Sequence, residues 1–292
     1  QIYIAYNENL TDLTGLESLT HLDFELQILH NPKLTSLQGL NFLEEVGIIE
    51  IVNNPGLLNF SGLDAVKSVR NKIVIQENSG LISLTGMNNI PSIPQDFEIR
   101  GNIALQSLDG LNALTTIGGH FQLEGNPQLS DITDLSSLDS IGGQLLISNT
   151  DQLASLSGLD QLTSLGDLEI TFNDVLEACS VESICNYLMS GGHAVVEGNK
   201  IGCANIEQIL ERCLVGSTDW SAADFSIFPN PAQSIVFLPE EISDAVVFDA
   251  TGRKYPMEII DGKMDVSAYP SGFYIFRCKE NGVGRMATFV KM

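Results

Sequence analysis

The stretch NPKLTSLQGLNFL, residues 31–43, decides the architecture of this chain. Leu34 follows the asparagine at +3, then Leu37, Leu40 and Leu43 keep a spacing of three, with Gly39 just before the leucine at +9. The pattern returns about every 24 residues: Asn7, Asn31, Asn54, Asn78, Asn102 and Asn126 line up, with Leu10, Leu34, Leu57, Leu81, Leu105 and Leu129 at +3. At +9 stand Leu16, Leu40, Leu63, Met87, Leu111 and Leu135, five of them preceded by glycine. Asp134 takes that glycine's place in the sixth repeat, and Gly158-Leu159 restores it in the next. Recurrence at 20 to 50 residues means stacked supersecondary units, none able to bury its own apolar face alone. The sequence therefore reads as a solenoid.

Within each repeat, residues at −5 and −3 from the asparagine are apolar and alternate with outward ones: Ile2/Ile4, Leu26/Ile28, Ile49/Ile51, Ile73/Ile75, Phe97/Ile99 and Phe121/Leu123. Such alternation predicts a short half-buried strand. The asparagine ends it at a tight corner, where Pro32, Pro55 and Pro127 fit a turn, and successive amides are expected to bond one another along the stack. The period of three that follows suits short extended or 3₁₀ segments rather than a helix. Thr150, Asn173 and Asn199 continue the register, which makes nine rungs.

These positions resemble the leucine-rich repeat proteins, and more closely their receptor L-domain branch. The resemblance covers residues 1–213 and implies a right-handed parallel β-solenoid. It specifies a scaffold, so function is expected on outward residues.

Around residue 178 the repeat is interrupted. Ala178–Ser190 and Ala204–Cys213 read as short helices within a cap at 178–213, which holds Cys179, Cys185, Cys203 and Cys213. Cysteine clusters staple such caps in exported proteins. Cys179 and Cys203 lie one rung apart in sequence, which favours pairing them and leaving Cys185 with Cys213, although four cysteines allow three connectivities. No Cys-x-x-Cys is present and His193 is the nearest histidine, which disfavours zinc.

Residues 214–224 read as a small polar linker, and the repeat is absent after it. Residues 225–292 show short strands between turn signals, the rhythm of a small antiparallel, Ig-like sandwich. This part is similar to the C-terminal sorting domain of type IX secretion substrates in the Bacteroidetes. The residues that carry the likeness are Phe228-Pro229-Asn230-Pro231-Ala232, the run from Val247 to Gly252-Arg253, Ser271-Gly272-Phe273-Tyr274-Ile275, and the closing Phe289-Val290-Lys291-Met292. The resemblance implies recognition by the type IX machinery and a secreted or outer-membrane-surface location.

The chain carries 37 acidic and 14 basic residues. Residues 220–292 hold 9 and 7 of these, so residues 1–219 hold 28 and 7. That balance argues against nucleic acid and anionic membrane surfaces as partners. No apolar run approaches membrane-spanning length. No signal peptide is present and residue 1 falls mid-strand, which reads as loss of a natural N-terminal cap.

Chemistry is not legible. Nucleophile elbows, phosphate loops and calcium repeats are absent, so no catalytic residue, metal or cofactor is expected. His120 and His193 share a register but sit three rungs apart. Glu50 and Glu98 sit two rungs, about 10 Å, apart, a marginal spacing for a glycosidase pair. Arg100 and Glu124 on neighbouring rungs read as an ion pair. What remains is a surface. Leu29, Val52 and Val74 are expected to form an exposed apolar strip, which with Tyr3, Tyr6, His30 and Glu50 makes a candidate ligand face. Three functions fit: a secreted or surface-displayed protein that binds a protein or glycan, an accessory region of a larger secreted hydrolase, or an adhesin stalk.

Overall fold

Nine strands stand in one sheet, one per rung, and give about eight turns: Ile2–Ala5, His21–Leu29, Glu45–Val52, Ile73–Gln76, Phe97–Arg100, Phe121–Glu124, Ser140–Ser148, Ser164–Thr171 and Ala194–Glu197. The computed structural model describes residues 1–216, 220–221, 227, 229–238, 242–249, 253–280 and 283–292. The first eight strands pair in parallel, and the −5 residues align in one column: Ile2, Leu26, Ile49, Ile73, Phe97, Phe121, Leu145 and Leu168. From the second rung onward this column is sealed from solvent, as are the leucines at +3, +6 and +9. The Phe97 and Phe121 rings stack at 5.3 Å. The chain is thus mainly β, a parallel solenoid with turns of about 24 residues.

The asparagine corner forms as its chemistry requires. From Asn31 to Asn126 each asparagine is buried, its Nδ2 donates to a strand carbonyl, and its Oδ1 accepts from the backbone N–H and the amide of the rung before it. Asn54 Nδ2 donates to Ile28 O at 2.9 Å, while its Oδ1 accepts from Asn31 N at 3.1 Å and Asn31 Nδ2 at 3.2 Å. The ladder runs from Asn7 to Asn126, and Thr150 donates to Asn173 in the same way.

The glycine at +8 has a steric cause absent from the sequence pattern. Gly39, Gly62, Gly86, Gly110 and Gly158 adopt φ between +111° and +116° or just below it, at +110° for Gly86. A Cβ at Gly110 would lie 2.2 Å from Leu84 O. Their N–H groups are received by Asn41, Asp64, Asn88 and Asp160 side chains at four of these corners. Where Asp134 replaces the glycine, the chain forms a 3₁₀ turn, Thr133–Leu135.

A second ribbon was not legible. Residues near +15, expected to continue the period of three, pair as short strands, among them Ser68–Val69, Ser92–Ile93 and Thr116–Ile117. A register shift joins this ribbon to the main sheet, as between Leu22 and Glu25.

The helices are Glu182–Met189 and Ile206–Gly216. The first begins later than expected because Ala178 still bridges Ser155 in rung geometry. The second continues through Gly216 into the stretch read as linker, and Trp220–Ser221 pairs with Gly284–Arg285. Cys179 bonds Cys203 and Cys185 bonds Cys213, with Cα separations of 5.6 and 5.5 Å, and Cys278 stays a buried thiol outside any disulfide.

Contacts divide the chain into two units, Gln1–Ile184 with Val195–Asn205, and Cys185–Ala194 with Ile206–Met292. The second unit contains two sheets. Ile242–Asp249, Gly272–Glu280 and Val283–Lys291 pair antiparallel, with Trp220–Ser221 and Lys254–Tyr255 at the edges, while Ile235–Phe237, Lys263–Asp265 and Ile259–Ile260 form the other sheet. Lys254–Tyr255 and Ile259–Ile260 lie in different sheets, separated at Pro256, which lacks a donor. Val236, Val247, Met264, Tyr274, Phe276 and Phe289 share the core of these sheets.

Candidate ligand-binding face

Alternation along each strand sends the −4 and −2 residues outward, so the sheet presents them as parallel columns about 4.8 Å apart per rung. Tyr3 lies on this face, 58% exposed. Glu50 is half-buried, and its Oε2 accepts from Gln27 Nε2 at 2.7 Å. Gln1 Nε2 likewise donates to Glu25 at 2.8 Å. The apolar strip is less open than expected. Leu29 and Val52 are half-buried, and Val74 is only 6% exposed. Val74 lies between Glu50 and Glu98 in its column, a short branched side chain between two longer ones. Val74 therefore drops out of the face as a contact residue.

Further along, Arg100 sits between two carboxylates, with Nη1 3.5 Å from Glu98 Oε2 and Nε 3.7 Å from Glu124 Oε2. The expected pair with Glu124 is present, and Glu98 shares the same cation. Glu50 thus bonds an amide, whereas Glu98 is paired with an arginine. His120 Nδ1 accepts the Gln144 N–H at 3.0 Å, a structural role across rungs. Among the described residues, no group of three histidine, cysteine or acidic side chains is placed to hold a metal ion.

Sequence reading missed the column just before the corner. Residues at −1 take positive φ in all nine rungs: Tyr6, His30, Asn53, Glu77, Gly101, Gly125, Asn149, Phe172 and Gly198. A signal existed, because asparagine or glycine fills five of these slots and both tolerate this region. Tyr6 and His30 occupy it despite their bulk, with φ of 58° and 54°. Their rings stack at 4.8 Å with planes 12° apart, and Tyr6 is 68% exposed. Of the candidate residues, Tyr6 and His30 therefore meet as a stacked pair, while Tyr3 lines a recess of about 330 Å³ with Ile4, Leu10, Leu13 and Leu16 of the first rung.

In the second unit, the motif residues hold the sheets together. Asn230 Nδ2 donates to Thr288 O at 3.0 Å and its Oδ1 accepts from Val290 N at 2.9 Å. Pro229 and Pro231 flank it, exposed. Gly272 opens a long strand opposite Lys291, whose Nζ donates to Met292 O. Tyr274 is buried, donates to Pro270 O, and burial pushes its phenol well above the ordinary value. The Arg253 guanidinium stands over the Tyr255 ring. Gly252 lies outside the described residues.

No helix among the described residues is long and apolar enough to cross a membrane. No family model matches the chain, and no curated protein matches it.

Proposed function

We propose that this is a repeat protein of the leucine-rich, receptor L-domain type that binds a protein or glycan ligand through its outward strand face. The observation that carries this reading is the exposed Tyr3 and the stacked Tyr6–His30 pair, on a rigid stack whose inward positions are sealed from the second rung onward. Rigid elements hold contact residues precisely enough for recognition, and exposed aromatics are favoured anchors. Screening the chain against glycan and protein arrays tests it. Binding should be lost on substituting Tyr3 and Tyr6 and unaffected by changes at Phe42, on a different side of the coil. Equal binding by both variants refutes the strand face.

We further propose that residues 225–292 are a type IX secretion sorting domain. Its motif residues, Asn230 above all, close the sheets, which supports a self-contained address. The two disulfides accord with an oxidising destination. In a type IX-competent host, deleting residues 225–292 should trap the remainder in the periplasm. Undiminished arrival in the medium refutes the assignment.

A further inference from the structure

One strand edge in the second unit is closed by a side chain. Strands at a sheet's rim leave N–H and C=O groups open to another chain, and proteins blunt them by shortness, bulges, charge, proline or a cover. The other rims of this unit are short or bulged. Lys254–Tyr255, Ile259–Ile260 and Ile235–Phe237 are two or three residues long. Ile242–Asp249 is longer and is covered by Lys254–Tyr255 only at Val247 and Phe248. Its register shifts between Ser243 and Val246, however, and Asp244 there is paired with Lys279 at 3.0 Å.

Val283–Lys291 lacks these protections. It runs nine residues without proline and pairs with Gly272–Glu280 in unbroken register. Of its two charged residues, Lys291 is buried with Nζ on Met292 O, and Arg285 is half-buried. Its outer side is covered piecemeal instead. Trp220–Ser221 pairs along Gly284–Arg285 at one end, and at the other the Ala232 N–H donates to Val290 O at 2.7 Å. Between them stands Asn230, whose Nδ2 donates to Thr288 O at 3.0 Å and whose Oδ1 accepts from Val290 N at 2.9 Å. One amide thus engages an acceptor and a donor two residues apart, as the peptide groups of a neighbouring strand would. We propose that Asn230 guards this edge, and that the edge beneath it is a latent self-association site for the same strand of a second copy of this chain. Two such edges related by a twofold axis are self-complementary, and each is long and regular enough to extend the other's sheet. The guard acts whether or not residues 225–292 are a sorting address.

Asn230→Ala in the full chain tests this by light scattering over a range of concentrations. The unaltered chain should hold one mass, and the variant's mass should double as concentration rises. Combining it with Val290→Pro separates edge pairing from general loosening. Both backbone groups of Val290 face outward, to Asn230 and Ala232, so proline there removes a donor from the edge and none from the inner ladder. The double variant should return to the unaltered mass. If Asn230→Ala does not fold by circular dichroism, Asn230→Ser, whose hydroxyl is too short to bridge both groups, takes its place with the same expected result. A folded single variant whose mass matches the unaltered chain at every concentration overturns the proposal. So does a double variant that associates as far as the single one, because the contact then lies elsewhere.

Discussion

The two units use the same materials, short strands and tight turns, but reach closure differently. In the solenoid every inward residue meets its own counterpart about 24 positions away, so one rung's sequence states the next rung's environment. In the second unit closure joins Asn230 to Thr288 and Val290, 58 and 60 residues on, with no repetition to announce it. Repetition removes freedom as well as ambiguity. Stacked rungs leave backbone against backbone at the glycine corners, whereas at Gly262 in the two-sheet unit a Cβ would come no nearer than 3.3 Å to another atom.

That contrast is broken or sharpened most by one substitution made twice. Gly110→Ala puts a Cβ 2.2 Å from Leu84 O at φ +115°, and neither rung can move without its neighbours. It should cost more than about 4 kcal/mol, the scale of the most damaging single changes. Gly262→Ala in the second unit, at φ +68° with its nearest atom 3.3 Å away, should cost about 1–2 kcal/mol. Urea titration of both variants checks the ranking, and similar losses would mean that the rungs slide apart more easily than the stack implies.

Next in size is the solenoid core. Leu123 lies between Ile99 and Ile147 in the −3 column, fully buried. Leu123→Ala should cost about 2–5 kcal/mol because the rungs on either side cannot collapse into the space. A loss within the range of surface substitutions, about 0.5 kcal/mol, would put the residue on the wrong face.

How much was legible follows from the same logic. Rung length, inward columns and the asparagine ladder could be read because each is a periodic relation, and Cys179 with Cys203 because they lie 24 residues apart, whereas Cys185 with Cys213 followed only as the remaining pair. The second ribbon was not, because Val69, Ile93 and Ile117 continue the spacing of three that also describes extended turns. Val74 was misjudged because alternation gives the direction of a side chain and not how far its neighbours leave it open. At the candidate face, Tyr6 and His30 were picked from sequence. Their left-handed backbone was not, since φ is set by how the corner joins the next rung.

The disulfides come third and touch both units. Mass spectrometry of the unreduced, digested protein should link Cys179 to Cys203 and Cys185 to Cys213, with Cys278 alkylated only after denaturation. Each bridge closes a loop of about the length worth roughly 3 kcal/mol through restriction of the unfolded chain. Replacing Cys179 and Cys203 together with serine should therefore lower stability by about that amount. Peptides joined in either other connectivity would overturn the cap geometry.

The smallest effect lies at Asp134, the one place where the repeat's glycine becomes an acid. Burial raises its carboxyl above the ordinary value, the Asn112 amide at 2.9 Å partly opposes this, and repulsion from Asp109 and Asp131 adds to it. A carboxyl whose folded pKa lies above its unfolded one binds a proton more tightly in the folded state. Its ionisation therefore opposes folding, and that penalty grows as pH rises through the carboxylate range and is complete above the folded pKa. Asp134→Asn should raise the thermal midpoint slightly at neutral pH and change little in acid, where the native carboxyl is already protonated. Equal shifts at both pH values would mean that the hydrogen bond to Asn112, rather than charge, governs this corner. The second unit offers an internal contrast in Asp265, whose carboxyl is held below the ordinary value by hydrogen bonds from Ser267. Its contribution runs the other way, present above the unfolded pKa and lost as pH falls through the folded one. Asp265→Asn should accordingly lower the midpoint at neutral pH and matter least in acid, so the two substitutions move stability in opposite senses as pH is changed.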